Sequence, residues 1–324
     1  MTPEEQLDAG MAAMEQGDFA TALSLFDAVI EADPTNGQAL YFKGCAYSES
    51  GDYEQAIAAY ERCVEHAGDR AALPLFNMGN AWQELGDLPQ AVRAFQKAIE
   101  VDPTMADAWI NLGRLLDDFG AHDTAIDCYN AALEIEPDDV TALSNRGNSL
   151  RSLEQFEEAL ASYESALTLD PGDFAGRIGR GICIFQNGDQ PTGLQLLDEV
   201  IEETGHPLAM FEKAVLLSLA GQYEAALVML DEVQGQGFGN AELFNNRGEC
   251  LAQLDRIDEA LAAFEQSLDL DEEFAPALFG KARLLVNLEK IDEARPLAKK
   301  LLGQFEEDLP DHIRALASIC GLIE

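Results

Sequence analysis

Ala72–Met105 reads ALPLFNMGNAWQELGDLPQAVRAFQKAIEVDPTM, and its spacing decides the fold. Leu75, Met78 and Trp82 recur at steps of three and four in its first half, as do Ala91, Phe95 and Ala98 in its second. Steps of that size lay one apolar stripe along a helix, and such a stripe is buried only against another helix. Gly86-Asp87 separates the halves, and Pro103 lacks the amide hydrogen that a continuing helix needs. The stretch predicts two helices joined in a hairpin. Gly79 falls inside the first, where glycine is disfavoured relative to alanine by roughly 0.5–1 kcal/mol. Close approach of the paired helix, which a missing Cβ permits, is the expected offset.

Moving outward, the frame recurs about every 34 residues. Gly10, Gly44, Gly79, Gly113, Gly147, Gly181 and Gly248 keep one place, and Ala214 and Ala282 take it in two further copies. The small residue of the second helix returns as Ala22, Ala56, Ala91, Ala125, Ala159, Gly193, Ala226, Ala260 and Ala294. The nine repeats span 3–36, 37–70, 72–105, 106–139, 140–173, 174–207, 207–240, 241–274 and 275–308. Two joints break the period: 35 residues separate Gly44 from Gly79, and 33 separate Gly181 from Ala214. Repeat six, with Arg177, Gln190 and Leu197 at usually aromatic or apolar places, departs furthest, and a seam is expected at Gly205-His206-Pro207. Residues 309–323 carry Ile313, Leu316, Ala317, Cys320 and Ile323 on one stripe, which predicts a helix capping the last apolar face. At the other end Thr2-Pro3-Glu4-Glu5 has the form of a helix start with a capping box.

Trp109-x-x-Leu112-Gly113-x-x-Leu116, followed by Ala125, Tyr129 and Pro137, resembles the tetratricopeptide repeat (TPR) signature, and the likeness runs from Pro3 to about Asp308. The resemblance implies an all-α fold: a right-handed superhelix, or α-solenoid, of nine helix-turn-helix repeats with a terminal capping helix, in one domain over residues 1–324. In TPR proteins the first helix of each pair lines a concave groove. Carried over residue by residue, that places Phe76, Asn77 and Asn80, then Ile110, Asn111 and Arg114, then Ser144, Asn145 and Asn148 on the inner face, with Arg151 one turn on and Tyr41 as a further apolar anchor. The row is similar to the asparagine ladder of the nucleocytoplasmic sugar transferase for Ser and Thr, and to the groove of peroxisomal import receptors. It implies capture of an extended peptide, because each amide can donate and accept a hydrogen bond. Arg114 and Arg151 are placed to meet a ligand carboxylate or, alternatively, to pair with Asp117, Asp118 or Glu154. The lysines of the chaperone-tail clamp known in some TPR domains are missing from repeats three to five. Lys43, Arg146, Arg180, Lys213, Arg247 and Lys281 each precede the signature small residue, a repetition that predicts aliphatic stems packed between repeats and heads paired to acids.

The 324 residues include 60 acidic and 20 basic side chains, a net charge of −40 spread over all repeats. A phosphate backbone needs clustered cations, so nucleic acid is not an expected partner. The acidity suits either a cell with concentrated internal salt, where screening hides self-repulsion, or attraction of basic partners. No apolar run reaches the roughly 18 residues of a membrane span, and the start lacks the positive charge of a signal peptide. A cytoplasmic, preferentially monomeric protein is expected. The six cysteines form no Cys-x-x-Cys pair and the four histidines are scattered, so neither a metal nor a cofactor is expected. Phosphate-loop, Gly-x-Ser-x-Gly and His-Glu-x-x-His patterns do not occur, and acid pairs such as Asp117-Asp118 read as solvated helix faces. The reading is therefore a non-enzymatic scaffold for a peptide-bearing protein partner. The alternative is a structural spacer or self-associating solenoid whose asparagines are inherited consensus.

Overall fold

The computed structural model describes residues 1–305 and 309–323, and every regular element among them is a helix. Successive pairs are α1 (Pro3–Glu15) and α2 (Phe19–Ala32), α3 (Gly37–Glu49) and α4 (Tyr53–Ala67), α5 (Ala72–Glu84) and α6 (Leu88–Val101), α7 (Ala106–Asp118) and α8 (His122–Ile135), and α9 (Val140–Ser152) and α10 (Phe156–Leu169). They continue as α11 (Phe174–Gln186) and α12 (Gln190–Thr204), α13 (Pro207–Leu219) and α14 (Tyr223–Gly235), α15 (Ala241–Gln253) and α16 (Ile257–Leu270), and α17 (Ala275–Asn287) and α18 (Ile291–Leu302), followed by α19 (Asp311–Ile319). The predicted end of repeat nine at Asp308 lies outside the described residues. The extra residue between repeats two and three is taken up by one turn of 3-10 helix, Gly68–Arg70.

Helix starts follow the sequence. The Thr2 hydroxyl accepts from Glu5 N at 3.1 Å while the Glu5 carboxylate accepts from Thr2 N at 2.7 Å, completing the expected capping box. The side chains of Asp18, Asn36, Asp87, Asp139 and Asp189 each accept from one backbone amide in the first turn of a later helix, each such bond typically contributing about 1 kcal/mol. Seven residues beyond each signature small residue the chain turns through positive φ. Glycine stands there six times, but Glu154, Asp255 and Glu289 adopt φ of 60°, 60° and 62°. An L side chain in that conformation costs roughly 1–2 kcal/mol. Glu154→Gly, Asp255→Gly and Glu289→Gly should each raise the denaturant midpoint, by up to about 1 kcal/mol once the extra freedom of glycine in the unfolded chain is deducted. A lowered midpoint would show that the carboxylates hold these turns.

What enters the space left by the mid-helix glycines is a ring rather than a helix backbone. A Cβ at Gly10, Gly44, Gly79, Gly113, Gly147 or Gly248 would lie 2.4–2.7 Å from the ring of Phe26, Tyr60, Phe95, Tyr129, Tyr163 or Phe264, in that order. The expectation of closer backbones holds only in repeat six. There Leu197 replaces the ring, and a Cβ on Gly181 would lie 3.3 Å from the backbone oxygen of Gly193. Repeats seven and nine, which carry alanine at the signature place, set Ala214 in one cluster with Leu230, and Ala282 in one cluster with Ala298. The small residue and the one sixteen positions later are thus matched in size.

Contacts divide the chain into two compact units, Met1–Gly176 and Arg177–Glu324. In the first, apolar clusters run from hairpin to hairpin: Phe26 with Leu40, Tyr60 with Leu75 and Phe95, Phe95 with Leu112 and Leu115. In the second, Leu251 and Phe264 form one cluster, and α19 seats Ile313 and Leu316 on Leu285 and Leu301. The Phe279 ring meets His312 of α19 edge-on at 4.9 Å, so the predicted capping helix covers the ninth hairpin. No helix among the described residues is long and apolar enough to cross a membrane.

Candidate functional site

Each first helix in the first unit is 13 residues long, so equivalent side chains stand at equal heights on neighbours. This places the predicted row in two clefts of the same construction. Asn77 and Asn80 of α5 face Cys45, Ser48 and Glu49 of α3 over the Tyr60 ring, enclosing about 150 Å³. Two repeats later, Asn145 and Asn148 of α9 face Arg114, Asp117 and Asp118 of α7 over the Tyr129 ring, with His122, Ser149 and Ser152 completing about 210 Å³. The pair α5 and α7 between them is tied directly, Asn111 Nδ2 donating to Asn80 Oδ1 at 3.1 Å. There the ring beneath is Phe95, which has no hydroxyl.

Much of the asparagine row already hydrogen-bonds within the chain. Asn77 Nδ2 donates to Tyr41 Oη at 3.1 Å, and Tyr163 Oη donates to Asn148 Oδ1 at 2.7 Å. Each amide keeps its second group uncommitted among the described residues, since Asn offers both a donor and an acceptor. Tyr41 is half-buried, and burial first of all, with Cys45 beside it, pushes its hydroxyl up to about 12. Phe76 is half-buried against Phe95, ring centroids 5.6 Å apart. Ile110, expected as an apolar anchor, is 7% exposed in a cluster with Ala125 and Tyr129; it is core, and offers a ligand little surface.

Asp117 departs most from the sequence reading. Instead of a solvated helix face it has a side chain 21% exposed. Its carboxylate accepts from Tyr129 Oη at 2.9 Å and from Ser149 Oγ at 2.7 Å, and His122 Nδ1 lies 2.9 Å away. Burial, followed by the Asp117 charge, pushes the Tyr129 hydroxyl far above its usual range, which keeps it a donor. Nothing in the spacing of Asp117, His122 and Ser149 announced this, because the three meet only when α7, α8 and α9 pack. Arg114 lines the same cleft without an ion pair among the described residues, and Arg151 likewise has none; its buried Nε lacks any hydrogen-bond partner. The expected alternative, pairing with Asp117, Asp118 or Glu154, does not occur for either.

Four of the six cations before the signature residue do the structural work foreseen, whereas Arg146 bonds to neutral side chains and Arg180, its buried Nε without a hydrogen-bond partner, makes no ion pair among the described residues. Lys43 pairs with Asp27 at 2.6 Å, Arg247 with Asp231 at 2.6 Å and Lys281 with Glu265 at 2.8 Å. Lys213 pairs with Asp198, and Arg146 Nε donates to Ser162 Oγ at 3.1 Å. Each acid sits on the second helix of the preceding hairpin, so the head ties successive repeats while the stem is covered.

Stacked helical hairpins with size-matched partners sixteen residues apart, and polar clefts between successive first helices, define an α-solenoid. The chain belongs to the tetratricopeptide repeat family, whose members serve as protein-interaction scaffolds. Two tetratricopeptide repeat profiles match it, one over residues 7–72 and 76–140 and the other over 140–173 and 241–274, together more than half its length. No curated protein sequence matches the chain. Similar solved structures include a tetratricopeptide repeat protein from Parabacteroides merdae, 19% identical with a TM-score of 0.63, covering 77% of this chain and 98% of that one. Yeast Tom70 is 13% identical with a TM-score of 0.59, covering 99% and 88%. PilW, a type IV pilus biogenesis factor, is 21% identical with a TM-score of 0.54, covering 63% and 95%. At these identities the likeness speaks for the fold alone.

Proposed function

We propose that the chain is a non-enzymatic scaffold that holds an extended peptide segment of a partner against its first helices. The recurrence of one cleft, Asn77–Asn80 over Tyr60 and Asn145–Asn148 over Tyr129, carries the reading. An extended chain presents its own amides at a regular rise and is matched by polar groups at a regular rise. Arg114 and Arg151, cations without ion pairs in a chain of net charge −40, favour a segment with a carboxylate near the second cleft. Single hydrogen bonds contribute about 0.5–1.5 kcal/mol and ordering the segment costs about 2–5 kcal/mol, so micromolar affinity is expected.

The test is a peptide library offered as free acids and as C-terminal amides. Arg114→Ala and Arg151→Ala should cost a bound free acid about tenfold in affinity and an amide much less. Asn145→Ala should weaken both, with unchanged helical circular dichroism. Peptides bound equally by all variants would move the site to another face.

A second reading has an observation of its own. Asn77, Asn80, Asn111 and Asn148 bond to the chain itself, as expected of a spacer whose asparagines lock one repeat to the next. On that reading no library member binds and Asn111→Ala lowers stability. The acidic surface is read as adaptation to concentrated salt.

A further inference from the structure

A third cleft of the first unit, about 590 Å³ between α6, α7 and α8, lies outside the asparagine row. Its floor is Ile99, Leu112 and Cys128, all buried, and Leu116 and the Trp109 ring contribute to its walls. The ring is held by Nε1 donating to Pro103 O at 3.0 Å. Glu100 of α6 and Asp127 of α8 stand at the rim, and neither meets a cation among the described residues.

The same place between repeats seven and eight shows what is missing. There Leu112 is replaced by Arg247, whose guanidinium pairs with Asp231 at 2.6 Å and donates to Gln234 at 3.0 Å, and the cleft shrinks to about 300 Å³. Lys43, Lys213 and Lys281 occupy the equivalent place in their own repeats and also pair with an acid of the preceding helix. Repeat four alone joins a leucine at this position to two unneutralised carboxylates and an indole. Six of the nine repeats carry Lys or Arg at this place; repeats one, three and four carry Ala9, Met78 and Leu112, and the cleft over Leu112 is about twice the volume of the one that Arg247 enters.

We propose that this cleft takes an arginine side chain from a basic segment of a protein partner, in the place that Arg247 fills from within the chain. Arginine suits it better than lysine: the planar guanidinium can pair with carboxylates in a fork and stack on an indole, and the aliphatic stem matches an apolar floor. The site is independent of the asparagine row, and binding to one does not require the other.

Trp109 is the natural reporter, since the chain has only two tryptophans and Trp82→Phe leaves it single. The probe is an acetylated, amidated peptide of alternating arginine and leucine, with its citrulline counterpart as the uncharged control. A saturable shift of Trp109 emission is expected with the arginine peptide, and about tenfold weaker binding with citrulline. Glu100→Gln with Asp127→Asn should weaken the arginine peptide about tenfold, although only two of 60 acids are removed and general attraction to the acidic surface barely changes. Leu112→Arg should abolish the response by filling the cleft from within, while Asn145→Ala leaves it intact. Absence of a saturable response, or binding unaffected by Glu100→Gln with Asp127→Asn or by Leu112→Arg, would overturn the proposal.

Discussion

Gly79→Ala is expected to destabilise the chain by about 2 kcal/mol, although alanine is the better helix former by up to about 1 kcal/mol. The new Cβ would lie 2.6 Å from Phe95 Cε1 and 2.8 Å from Cδ1, and the ring has no exposed surface through which to withdraw. Phe95→Leu alone should also destabilise, because it leaves a void beneath glycine. Combined, the two changes reproduce the Ala214–Leu230 pairing of repeat seven, and the double variant should be more stable than the sum of its parts by at least about 1 kcal/mol. Urea midpoints of the four proteins measure this directly. Additive losses would mean that the size match sixteen residues apart is coincidental.

Salt should have the second large effect. Twenty basic residues can neutralise at most a third of the 60 acids, and several, such as Lys43 and Arg247, are already paired between helices. Two like charges 10 Å apart in water repel by about 0.4 kcal/mol before screening. Moving from dilute buffer to about 1 M KCl shortens the screening length from tens of ångströms to about 3 Å and removes most of that repulsion. Relief of even about 5 kcal/mol raises the thermal midpoint of a chain this size by roughly 7 °C. Equal concentrations of sucrose, which favours compact states without screening, provide the comparison. A midpoint independent of KCl would exclude both the repulsion and the salt-adaptation reading of the surface.

The hairpins were legible because glycine and alanine recur with the period of the fold, and Thr2 with Glu5 or Ile313 with Leu316 needed only local rules. The site was legible in part. Asn77, Asn80, Asn145 and Asn148 could be placed by register, and register does bring them to two clefts. Asp117 could not be told from a solvated acid, because Ser149, which holds it, lies 32 residues away across a helix joint. Ile110 failed for a related reason: counting from the signature glycine gives a direction along the helix, whereas burial depends on how closely the next hairpin approaches. The loss of a cation at Leu112 was visible in the sequence, as it is at Ala9 and Met78, but its meaning required knowing what Arg247 fills.

The rings at 60, 95, 129 and 163 differ by a single oxygen, and that atom decides whether the second helix takes part in the polar contacts above it. With a phenol the second helix joins contacts that the first helices also make directly, as Tyr129 joins Ser149 on Asp117 and Tyr60 joins Asn77 on Cys45. With a phenyl the helices address each other, as Asn111 does Asn80. Because ring volume hardly changes, exchanging Phe and Tyr can add or remove that third partner at one joint without crowding the glycine above the ring, giving evolution or a designer a set of independent settings along one scaffold.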